Sequence, residues 1–160
     1  MALTNPKIPY KTIRDSLRDL FRNNMASLNT NLAAGTFTAD EQIKTGNPEI
    51  ENTPITLYPV MFIQIISKAE EFRSLGHSGR KIPELTFRIY GAISDMSTNR
   101  EDEIIYLASN MEGLLRDNIQ FDSNVLWSNP TNTNFGLGEF EPSVYVNVVA
   151  IDLICNLEVK

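Results

Sequence analysis

ITLYPVMFIQIIS, residues Ile55 to Ser67, is the stretch whose reading decides the class of fold. It is rich in β-branched and aromatic residues, which suit a pleated surface. Its centre is apolar at successive positions, so the strand it predicts needs cover on both faces. Pro59 has no N–H to donate, which places it near the strand's start or on a sheet edge. Moving outward, Leu85 to Ser94 (LTFRIYGAIS) alternates and predicts a second strand. Leu85, Phe87, Ile89, Gly91 and Ile93 share one face of it; Thr86, Arg88, Tyr90 and Ala92 share the other. A third, long strand is predicted from Ser143 to Val159, with Val149, Ile151, Leu153, Cys155, Leu157 and Val159 on its apolar face. Its other face, with Asp152, Asn156 and Glu158, should meet solvent or a polar partner. Seventeen residues extend about 55 Å at about 3.3 Å each, so the strand should bend or project at one end.

Two amphipathic helices supply the cover. Ile13, Leu17, Leu20 and Phe21 recur on one helical face, with Lys11, Arg14, Asp15, Arg18, Asp19 and Arg22 around the rest. Leu28 and Leu32 extend the stripe, but Asn23, Asn24, Asn29 and Asn31 are poor helix formers, and Gly35 is a natural stop. In the second helix, Ile104, Ala108, Met111, Leu115 and Ile119 recur at helical spacing, widened by Leu107 and Leu114. Thr98 and Glu101 fit a capping box at its start. Helix, two strands, helix, strand, within 160 residues, predicts one α+β domain spanning 1–160. Its small, mostly antiparallel sheet should pack against two helices, with long loops projecting.

Three segments read as loops. Gly35 to Pro54 lacks a period beyond a short strand, and loops of this length are usually functional or ordered by a partner. Ser128 to Gly138 (SNPTNTNFGLG) is polar and follows a short strand at Val125 to Trp127. Lys68 to Pro83 (KAEEFRSLGHSGRKIP) is charged, glycine-jointed and too long for a tight hairpin. It is the candidate interaction element, and Glu70, Glu71, Arg73, Arg80 and Lys81 are its expected contacts to a neighbouring subunit or partner. Trp127 reads as a core anchor, with an interface aromatic as the alternative.

Catalysis finds little footing. The single histidine, His77, lies in the glycine-flanked part of the charged loop, a poor place to hold catalytic geometry. The trio Glu101-Asp102-Glu103 is explained by the helix start. Cys155 is the sole cysteine, which excludes an intrachain disulfide and a multi-cysteine zinc site. It reads as an inert core residue. No Gly-rich phosphate loop or zinc-protease motif occurs. The expectation is a non-enzymatic protein without cofactor or metal. Twenty acidic against 14 basic residues leave a formal charge of −6, which gives no general attraction for nucleic acid. No apolar run approaches the ~20 residues of a membrane helix, and the first residues lack signal-peptide character.

Taken in order, the amphipathic helix from Lys11 to Leu28, the Thr53-Pro54-Ile55 to Tyr58-Pro59-Val60 approach into an apolar strand, the charged loop, the Leu85 to Ser94 strand, the Arg100 to Ile119 helix and the long last strand resemble the tail terminator (tail completion) proteins of long-tailed bacteriophages. The Tyr58-Pro59-Val60-Met61-Phe62-Ile63 segment is most similar to that family's proline-led first strand. Gly35 to Pro54 and Ser128 to Glu141 are longer than a minimal member needs. The resemblance implies a homohexameric ring at the head-proximal end of the virion tail, assembled in the host cytoplasm. The ring would cap the tail tube protein, stop its polymerisation and present a surface to a head-completion or neck protein. Double-stranded DNA would pass through without specific binding, with no membrane involved. Alternatives are another phage neck or head–tail joining protein, a small hydrolase or transferase subunit, or an α+β ligand-binding module.

Overall fold

The computed structural model describes residues 7–33, 35–49, 52–72, 81–95, 101–141 and 144–158. Helices α1 (Tyr10–Arg22) and α2 (Met25–Leu28) come first, followed by strands β1 (Ile43–Thr45), β2 (Val60–Phe72) and β3 (Lys81–Asp95). Helix α3 (Glu101–Asp117) and strands β4 (Val125–Glu141) and β5 (Val144–Leu157) complete the chain. The strands form one mixed five-stranded sheet in the order β1-β2-β3-β5-β4. The β1–β2 pair is parallel, and the other three are antiparallel. The architecture is α+β.

One face of the sheet carries the main core. Leu85, Phe87 and Ile89 of β3 are fully buried there beside Val149, Ile151, Leu153 and Cys155 of β5. Met61 and Ile63 of β2 join them, together with Ile13, Leu17 and Phe21 of α1 and Leu107, Met111 and Leu115 of α3. Fully burying a side chain of this size contributes about 1.5–3 kcal/mol, which explains why the alternation in β3 and β5 dictates their facing. α3 packs tightly over Gly91: a Cβ there would lie 3.0 Å from Met111 Sδ and 3.1 Å from Leu107 Cδ2 of the helix, and 3.2 Å from Val149 Cγ1 of β5. The opposite face holds a smaller cluster of Val60, Phe62, Ala92 and Val146, packed with Leu57, Tyr58, Tyr90 and Val148. Thus β2 is apolar on both faces because each serves a different cluster.

Several boundaries differ from the sequence reading. The strand predicted from Ile55 starts at Val60, because Ile55–Leu57 winds a 3-10 turn closed by Leu57 N–H donating to the Pro54 carbonyl at 2.9 Å. Pro59 lies immediately before the strand, as its missing donor requires. The first helix breaks at Asn23–Asn24, where Asn24 Nδ2 caps the Leu20 carbonyl at 2.7 Å. The chain turns away at Asn31, whose φ of 65° is left-handed, and not at Gly35. Ile119 lies beyond α3 and is 50% exposed, not part of the buried stripe. The Thr98 capping position lies outside the described residues.

Hydrogen bonds within the chain hold the described part of the long segment before β2. Buried Gln42 acts as its hub: Oε1 accepts from Thr38 N at 2.7 Å and Ala39 N at 2.8 Å. Its Nε2 donates to the carbonyls of Thr36, Leu57 and Pro59 at 3.1–3.2 Å. Arg22 at the end of α1 donates to the Ile43 carbonyl at 2.7 and 3.1 Å, fastening β1 beneath the helix. Asn110 of α3 likewise donates to the Leu28 and Thr30 carbonyls at 2.9 and 2.8 Å, tying α2 down.

Candidate assembly surface: an open edge strand and a projecting hairpin

The segment read as a polar loop after Trp127 is in fact strand. β4 runs 17 residues along β5 and forms one edge of the sheet. Asn, Thr and Gly carry little apolar pattern, but the backbone of β5 supplies a ladder whatever the side chains are. Three register shifts, at 125/127, 130/132 and 139/141, let this uneven sequence follow its partner. Pro130 is tolerated because an edge strand has a side that needs no donor. It is also the signal by which the sequence could have disclosed an edge.

Among the described residues no strand pairs with the outer side of β4. Such an edge presents unpaired N–H and C=O groups to any incoming strand. Two aromatics stand on it. Trp127 is 45% exposed and Phe135 is 55% exposed, so Trp127 is not the core anchor it resembled. Their faces differ: Trp127 is in register with Asn156 on the helix-free face, and Phe135 with Val149 on the helix-covered face. The opposite edge is open in part. β1 covers β2 only from Met61 to Ile63, so the stretch from Ser67 to Phe72 has no strand partner on that side among the described residues.

The described half of the predicted charged loop is strand. β2 continues to Phe72 and β3 begins at Lys81, so only residues 73–80 remain between the strands, and these lie outside the described residues. A shift between Ile65 and Ser67 reverses the facing of β2, leaving Ile66 exposed. β5 pairs with β3 only from Glu84 onward, so the pairs Glu70–Pro83, Glu71–Ile82 and Phe72–Lys81 extend past it as a two-stranded arm. The structure therefore gathers Glu70, Glu71 and Lys81 at the arm's end. Glu70 is exposed and accepts from Lys68 Nζ at 3.0 Å. Arg73, Arg80 and His77 lie outside the described residues.

On the helix-free face, Arg88 reaches Asp152 across the ladder at 2.8 and 3.3 Å. The hydrogen bond to Asp152, then that to Tyr90, raises the guanidinium above its ordinary value. Asn156, expected to meet solvent on this face, is instead buried, with no hydrogen bond to its Oδ1. Among the described residues no helix is long and apolar enough to cross a membrane. The geometry presents strand edges, an arm and exposed aromatics. Comparison with known proteins yields no matching family model and no matching curated protein.

Proposed function

We propose that this chain is a structural assembly protein that closes into a homohexameric ring and caps a bacteriophage tail tube. The ring ends polymerisation of the tube protein and offers its other side to a head-completion protein in the finished virion. The observation that carries this reading is the pair of unlike open edges, 17-residue β4 on one side and the outer half of β2 on the other. Unlike edges join head to tail, and head-to-tail contacts make rings when the rotation closes. A small, mostly antiparallel sheet backed by α1 and α3 gives such edges a rigid support. The resemblance to tail terminators in the order of elements supplies the biological setting. A charge of −6 on each copy, repeated around a ring, lets DNA pass without adhering.

The test is direct. The purified chain should show a six-fold ring in negative stain and a hexamer in native mass measurement. Added to a polymerising tube protein, it should shorten tubes in proportion to ring concentration, without nucleotide or metal. An infected cell lacking it should produce overlong tails or tails without heads. Unaltered tails and head joining on deletion would rule the proposal out and favour the binding-module alternative.

A further inference from the structure

Where the hairpin arm leaves the sheet, a cleft of ≈ 280 Å³ opens between Ile82, Leu126, Trp127 and Asn156. In the strand register Asn156 stands opposite Trp127 on one side and Glu84 on the other, so the three share the helix-free face. Ile82 and Leu126 make apolar walls, and Trp127 leaves an aromatic surface open. Asn156 is only 5% exposed, yet its Oδ1 has no hydrogen-bond partner. A buried acceptor without a donor is costly, and the residue that carries this one is among those lining the cleft. Among the described residues the charges nearest to it in the ladder are acidic: Glu84 lies across from it and Glu158 follows two residues after Asn156. Arg88, four residues along β3 from Glu84, is held by Asp152.

We infer that this cleft receives an arginine side chain presented by a partner protein. The guanidinium stacks on Trp127 by cation–π attraction. Once the Asn156 amide turns toward the cleft, the guanidinium N–H groups supply the donor that its Oδ1 lacks, and Glu84 and Glu158 balance the charge. The apolar walls cover its methylene stem. A planar guanidinium stacks and donates in its own plane at once, which a lysine ammonium does not. The same carboxylates repel phosphate, so a nucleic acid is a poor occupant. The inference stands apart from the ring proposal, because the cleft needs neither a hexamer nor a tail.

Trp127 is the chain's single tryptophan, so its fluorescence reads this cleft alone. N-acetyl-arginine amide titrated into the full chain should give a saturable change in that emission at millimolar concentrations. N-acetyl-citrulline amide, which keeps the shape and lacks the charge, should give none. Asn156→Leu and Glu84→Gln should each weaken the arginine response by about tenfold, with far-ultraviolet circular dichroism unchanged. Should Asn156→Leu fail to fold, the half-buried Glu84→Gln position decides alone. Absence of a saturable response to arginine, an equal response to citrulline, or an undiminished response in Glu84→Gln overturns the inference.

Discussion

Cys155 lies fully buried on the inner face of β5, and burial pushes its thiol up to about 12. Thiolate is the reactive form, so the native chain should leave a thiol reagent unconsumed at about pH 8 and react only once unfolded. Rapid native reaction would mean that β5 opens readily. Asp122 shows the opposite balance. Burial pushes its carboxyl up, but Ser16 Oγ at 2.5 Å and the backbone and side-chain nitrogens of Asn124 at 2.8 Å donate to it. The net result lies below the ordinary 3.8. A folded value below the unfolded one means that Asp122 contributes stability above the unfolded value. That contribution is lost as pH falls through the folded one. Asp122→Asn should therefore narrow the gap in urea midpoint between about pH 7 and about pH 3. An unchanged gap would show that Ser16 and Asn124 do not select the carboxylate.

At the scale of elements, the contact between α3 and the sheet depends on the missing side chain at Gly91. The three atoms facing it at 3.0–3.2 Å come from α3 and from β5, both held by the rest of the core. Gly91→Ala should thus cost about 1–3 kcal/mol by overpacking, measured by chemical denaturation; a neutral result would show that α3 shifts freely. Met111→Asp, on the same buried stripe, should cost several kcal/mol by placing an unpaired charge in the core, which is comparable with a whole domain's stability. A soluble, folded Met111→Asp chain that merely failed to assemble would mean that this stripe faces a partner instead. These faces were legible because Leu85, Phe87 and Ile89, or Ile104, Leu107 and Met111, repeat at the period of their element. β4 was not: Asn129 to Asn134 holds no apolar residue but Pro130, and its conformation comes from backbone pairing with β5.

For the whole molecule, assembly and folding are separable on the open edge. Phe135 is already more than half exposed, so Phe135→Asp should alter stability by no more than about 0.5 kcal/mol. If the proposed ring forms through this edge, the same variant should remain a monomer in native mass measurement under conditions where the parent assembles. Rings of undiminished abundance would exclude the β4 edge as the contact. Charge reversal at Glu71 together with Arg80 tests the arm separately. It should impair tail assembly while leaving the folded monomer intact, and normal tails would remove the arm from the interface.

Local pattern was enough for the amphipathic faces of α1 and α3, for the alternation of β3 and β5, for the two-sided burial of β2 and for the buried cysteine. Each is a record of which side chains avoid water, and that record is written at a period of two or of 3.6 residues. What depended on the folded chain is of another kind. The polar stretch after Trp127 became a strand, Gln42 drew a long segment onto the sheet, and Trp127 stayed in solvent while Asn156 went under cover. These outcomes rest on backbone ladders and hydrogen bonds between residues distant in sequence. Such partners are chosen by register and proximity, and neither leaves a mark on the hydrophobic pattern of the segments they join.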